Sequence, residues 1–193
     1  MVEKTLIVSI LTWAVPFLLG LFASLIIDTL RKFKKNRRNK AFIILYLGNT
    51  IKPTLIELEK AYKQIKDKIK INKVGHFSML AFENFNTRVL NAIQPVEYYE
   101  IFKEQYVDLD EIITMIDFIS NDLPIKINDD YWNYLNEHVK LNNATGDYNH
   151  IEKCEVCINH KKGVLNKVDS RIKETKDLIE KIDKITNKTA NKG

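Results

Sequence analysis

The sequence predicts an all-α protein: one N-terminal transmembrane helix followed by a cytoplasmic helical bundle with coiled-coil-like long helices. Three observations lead there. An uncharged run of 23 residues, Thr5 to Ile27, lies between Lys4 and Asp28. Beyond it, apolar residues recur at alternating spacings of three and four. Gly (6) and Pro (4) are scarce among 193 residues, which supplies turn-rich β architectures poorly and long helices well. With the span removed roughly 150 residues remain, enough to bury a core without staples. The expected organisation is a short extracytoplasmic terminus (1–4), the span (5–27), a basic collar (28–40), a cytoplasmic helical domain (41–187) and a polar tail (188–193).

At ~1.5 Å per residue the uncharged run makes about 34 Å of helix against ~30 Å of hydrocarbon, so it spans with a little tilt to spare. A cleaved signal peptide places its positive charge before a shorter apolar stretch; here the stretch is longer and the charge follows. Arg31, Lys32, Lys34, Lys35, Arg37, Arg38 and Lys40 stand directly behind the span against Lys4 alone before it. The positive-inside rule therefore puts everything from 31 onward in the cytoplasm, the membrane being the inner (plasma) membrane. The collar acts as a stop-transfer anchor, and its cations can also contact anionic lipid head groups at ~1 kcal/mol each. Within the span, Thr12, Pro16, Gly20 and Ser24 recur every four residues and share one helical face. Small residues on such a face let helices approach closely in lipid, which points to self-association. No ionisable side chain inside the span marks an ion path.

Residues 41–48 are apolar but too short to cross again, and are read as the first helix continuing into the core or the interface. Ile51, Leu55, Leu58, Tyr62, Ile65 and Ile69 then form a heptad seam, with Pro53 either in the first turn of that helix or kinking a longer one. After a break at 72–75, Met79, Phe82, Phe85, Val89 and Ile93 give a third helix that stops before Pro95. Pro95 opens a fourth, with a broad apolar face from Tyr98, Ile101 and Phe102 through Leu109, Ile112, Ile113, Ile116 and Ile119, a turn marked by Asp108 and Asp110, and an end near Pro124. Asn128 or Asp129 is expected to cap a fifth helix, with Tyr131, Tyr134, Leu135, His138 and Val139 facing inward. Residues 142–149 read as a loop, and a short helix from His150 to Lys162 is expected to end at Gly163. The last helix carries a second seam: Leu165, Val168, Ile172, Thr175, Ile179, Ile182 and Thr186. The two seams can pair with each other antiparallel or pair between subunits.

The formal charge of +5 does not indicate nucleic acid once it is divided along the chain. Residues 1–40 hold 8 of the 30 basic and 2 of the 25 acidic side chains, leaving 22 against 23 in the rest, a net charge of −1. The basic balance belongs to the collar. Two cysteines, Cys154 and Cys157, are too few and too close for a secreted disulfide framework and suit a reducing compartment. With His150 and His160 they supply zinc-like ligand types, but on one helix at ~100° per residue the four fan out too widely to enclose a tetrahedral ion. That leaves a half-site completed by a second chain, or a buried cysteine pair; no cofactor is expected. His76 and His138 read first as hydrogen-bonded structural residues. No phosphate loop, Ser-His-Asp set or carboxylate-histidine metal motif occurs.

Asn133 and His138, with four residues between them on an expected helix, resemble a degraded form of the arginine–histidine motif of HEPN ribonucleases. In that family paired histidines from two subunits carry acid and base steps on the RNA 2′-hydroxyl. Asparagine here replaces the arginine, removing the fixed cation that would stabilise phosphate. With its single span and basic collar, the chain resembles the one-span accessory membrane proteins of type VI-B CRISPR systems. The resemblance implies membrane rings, a pore-like antiviral role and an RNA-guided effector as neighbour. The expected function is therefore a non-enzymatic, homo-oligomeric membrane effector or scaffold, its partners being lipid, further copies and an RNA-guided or other cytoplasmic protein. The alternatives are a membrane-tethered HEPN-like ribonuclease using His138 and a passive adaptor.

Overall fold

The computed structural model describes residues 2–72, 90, 95–142 and 148–190, with most side chains between 20 and 187. All the elements described are helical, and no strand occurs among the described residues. Met79, Phe82, Phe85, Val89, Ile93 and His76 lie outside them, so the third helix expected there is outside the described residues.

Helix α1 runs without a break from Val2 to Tyr46, about 68 Å at ~1.5 Å per residue. It contains the uncharged run, passes through the collar and enters the core, where Ile43 is fully buried. A π-helical segment, Leu47–Ile51, joins it to α2, Lys52–Lys70. Pro53 lies in the first turn of α2. In a straight α-helix its ring would meet the carbonyl four residues back and it has no N–H to offer, so the wider π turn lets the helical path continue past it. Of the two placements expected for Pro53, the first turn of the helix is the one observed. The α2 seam is buried throughout: Ile51, Leu55, Leu58, Tyr62, Ile65 and Ile69. The helix ends at Lys70 and is capped by Ile71; Asn72, next in the chain, has a φ of 51°, the left-handed conformation that asparagine tolerates after a helix.

Helix α3, Pro95–Phe102, and α4, Tyr106–Ser120, are separated by the 3₁₀ turn Lys103–Gln105, with Lys103 at φ 47°. The expected apolar face is inward, but the turn falls at Lys103 and not at Asp108 and Asp110, which lie inside α4. Helix α5, Pro124–Leu141, begins four residues before the caps expected for it. Pro124 starts it because a proline at the first helical position has the right φ and gives up an N–H that had no partner. Asn128, expected at the cap, is instead one turn in and buried.

Helix α6, Tyr148–Lys153, and α7, Glu155–Ala190, meet at Cys154. The expected stop at Gly163 does not occur. Gly163 is interior to α7, the break having moved nine residues toward the N-terminus. Helix α7 lies antiparallel to α2 within the same chain: Lys52 bonds Asp183 at 2.5 Å, Lys176 lies 3.8 Å from Glu59, and Lys66 pairs with Asp169. On its other side it packs against α4, where Lys181 pairs with Glu111. Contact on two sides shifts the deepest line of the last seam to Val168, Arg171, Thr175, Leu178, Ile182 and Ile185, leaving Ile172, Ile179 and Thr186 half-buried at its edge.

Candidate functional site

Two places on this frame gather chemistry: the junction of α5, α6 and α7, and the stretch of α1 that emerges from the uncharged run.

At the junction, α5 brings His138, the last full turn of α6 brings His150, and Cys154 and Cys157 flank the start of α7. Ligand atoms of all four lie within 4.8 Å of one another. His138 Nε2 is 3.3 Å from Cys154 Sγ and 3.3 Å from Asn142 Nδ2, which also donates to the His138 carbonyl at 2.8 Å. The His138 and His150 rings are 5.5 Å apart, and His150 Nε2 is buried with no partner among the described residues. Cys154 closes α6 by donating its N–H to the His150 carbonyl at 2.8 Å, while its own carbonyl accepts from Ile158 at 3.0 Å. Cys154 thus occupies the N-cap of α7. There the backbone N–H of Cys157, joined by its side chain and by the N–H of Val156, holds the Cys154 thiol below its ordinary value, as expected of a thiolate at a helix N-terminus. Burial, and then contact with Cys154, pushes the Cys157 thiol up to about 11.

The sequence placed His150, Cys154, Cys157 and His160 on one helix. The break at Cys154 removes that premise, and the residue that joins the cysteines and His150 is His138, from a separate helix. His160 stands apart, stacked on Tyr134 at 3.8 Å and parallel to Tyr131 at 5.8 Å, and burial lowers its pKa. Asn133 is exposed to solvent, whereas His138 is half-buried and turned toward Cys154. The signal that could have found His138 was its place on the apolar side of a helix flanked by aromatic residues, which by itself specifies no ligand.

Along α1, every residue from Gly20 to Arg31 is exposed, including Phe22, Leu25, Ile26 and Leu30, and Phe33 is 68% exposed. None of the described helices covers this apolar sleeve. A Cβ placed on Gly20 would meet nothing within 4 Å, and Ser24 is likewise exposed. The side chains of Thr12 and Pro16 lie outside the described residues. The collar is partly occupied within the chain. Lys32 bonds Glu100 and Lys35 bonds Glu97, both at 2.8 Å, and Lys40 lies 5.4 Å from the Phe102 ring, so α3 docks along the collar. The hydrogen bond from Lys32 holds the Glu100 carboxyl below its ordinary range. Arg31 lies 3.7 Å from Asp28, while Lys34, Arg37 and Arg38 point to solvent. Between α1 and α3 opens a groove of about 830 Å³ lined by Lys32, Phe33, Arg37, Lys40, Tyr99 and Lys103, among others.

Among the described residues the protein is all-helical, with one helix long and apolar enough to cross a membrane. No family model, curated protein or solved structure matches the chain.

Proposed function

We propose that the protein is a membrane-anchored, homo-oligomeric helical scaffold or effector, with residues 5–27 crossing the inner (plasma) membrane and the helical domain in the cytoplasm. The observation that carries this reading is the uncovered apolar sleeve on α1 that gives way at once to seven cations. A helix apolar on all sides and covered by none of the described helices is stable in lipid and a liability in water. The charge asymmetry supports a cytoplasmic collar. At that depth the exposed Lys34, Arg37 and Arg38 and the basic groove beside Phe33 and Tyr99 meet the phosphate layer. The nearly unbroken helical path from Val2 to Lys70 couples the span rigidly to the bundle formed by the long α2 and α7 helices. The open Gly20 and Ser24 positions supply a close-packing face for neighbouring copies. By resemblance to the type VI-B CRISPR accessory proteins, such copies form a ring that opens the membrane.

Two measurements test the proposal. The intact chain should sediment with membranes, and a C-terminal tag should resist protease in spheroplasts; recovery in a detergent-free high-speed supernatant sinks it. Gly20→Leu, at a position where an added Cβ meets nothing within 4 Å, should reduce the particle mass measured by light scattering in detergent. An unchanged mass removes the packing face.

A further inference from the structure

We propose that His138, His150, Cys154 and Cys157 bind one zinc ion in a closed, tetrahedral, structural site that fastens α5 to the α6–α7 junction.

Four facts converge. First, the donor set is two thiols and two imidazoles, the combination that suits zinc and excludes the oxygen-seeking cations. Second, the ligand atoms lie within 4.8 Å of one another, while bonds of ~2.3 Å to sulfur and ~2.0 Å to nitrogen require edges of about 3.3–3.8 Å. The His138–Cys154 separation of 3.3 Å already meets that, and closing the others requires only side-chain movement of about an ångström. Third, His150 Nε2 is buried without a partner among the described residues, a loss that native structures avoid and that a metal ion would relieve. Fourth, the Cys-x-x-Cys pair brackets the first turn of α7, with Cys154 at the junction of two helices and Cys157 buried one turn on, so both thiols face the same helix end.

Asn142 Nδ2, 3.3 Å from His138 Nε2, is the group that the ion displaces from that nitrogen; its bond to the His138 carbonyl remains to orient the helix end. With four protein ligands no position stays open for water or substrate, so the role is to hold structure and not to catalyse. The ion ties three helices whose ends meet at this point, and it accounts for a break at Cys154 in what would otherwise be one long helix. The site is independent of whether the chain oligomerises or crosses a membrane.

The test uses the full chain in detergent micelles, purified without chelator. Elemental analysis should find one zinc per chain. After removal of zinc, titration with cobalt should give the intense visible bands of a tetrahedral ion and a near-ultraviolet thiolate-to-cobalt transition. His138→Asn and Cys157→Ser should each weaken cobalt binding by at least ~10-fold, whereas His160→Ala should bind as the parent does. Chelation should lower the thermal midpoint of the parent. Should a ligand variant fail to fold, the cobalt spectrum of the parent protein decides alone. Absence of a tetrahedral cobalt spectrum, recovery of Cys154 and Cys157 as a disulfide with no metal bound, or unaltered cobalt binding by folded His138→Asn each overturns the proposal.

Discussion

Arg171 is the buried charge on which the α4–α7 contact turns. Its side chain is 8% exposed; Nη2 and Nε bond Asp122 Oδ2 at 2.6 and 3.2 Å, Nη1 pairs with Glu174, and the guanidinium lies 4.1 Å from the Phe118 ring. Replacing it with alanine removes these together. Breaking a buried pair by deleting one partner costs ~3–5 kcal/mol, because the other charge is left uncompensated. Here Asp122 is 20% exposed and keeps Lys167 at 2.8 Å, which puts the electrostatic part at the lower end. Loss of the stacked aromatic contact adds ~0.5–1 kcal/mol. The expected destabilisation is therefore about 3.5–4 kcal/mol, a fall of about 7–16 °C in Tm at ~2–4 °C per kcal/mol for a chain of this size. Far-ultraviolet circular dichroism during a thermal ramp in detergent reads it.

The pH dependence gives a second reading of the same contact. Burial alone would raise the Asp122 carboxyl, but hydrogen bonds from Lys167 and Arg171 outweigh it and hold the group below its ordinary 3.8. A carboxylate lowered in the folded state stabilises fully above its unfolded pKa, and that stability is lost as pH falls through the folded value. The parent should therefore lose stability on acidification below about pH 4, and Arg171→Ala should lose less over the same range. Asp122→Asn combined with Arg171→Met should cost less than the two single changes summed. A fall below ~1 kcal/mol for Arg171→Ala, or strict additivity in the cycle, would refute the reasoning.

Gly163→Ala should stabilise the protein by ~0.5–1 kcal/mol, since the position is mid-helix and the added Cβ meets nothing within 4 Å; a loss in urea titration would mean that the helix ends there after all. Tyr62→Phe should cost ~1–2 kcal/mol, because the Asp122 carbonyl loses the hydroxyl that bonds it at 2.7 Å, and an unchanged Tm counts against that bond. Exchanging Glu97 and Glu100 for glutamine should lower the thermal midpoint only slightly, as expected for exposed ion pairs, and the effect should shrink with salt. Purified protein and His138→Ala should both leave labelled RNA uncut, because Asn133 faces solvent while His138 faces Cys154; cleavage by the parent alone would restore the nuclease reading.

Much of this architecture is local and was legible in the order of the residues. Twenty-three uncharged positions in a row mark a helix long and apolar enough to cross a membrane, and that length and composition can be read without reference to any partner. The α2 seam and the apolar face of α3 and α4 were readable because a helix repeats every ~3.6 residues whatever it packs against. Helix boundaries were less legible where two rules competed: Pro124 can end one helix or begin the next, and Gly163 is a common stop that a long, well-packed helix overrides.

Periodicity carries no information about which faces meet. The antiparallel seating of α7 between α2 and α4, with Arg171 folded onto Asp122, follows from packing angles among helices distant in the chain. So does the arrival of His138 beside His150, Cys154 and Cys157: spacing along one helix specifies a fan of side chains, and only the crossing of three helix ends turns that fan into an enclosure.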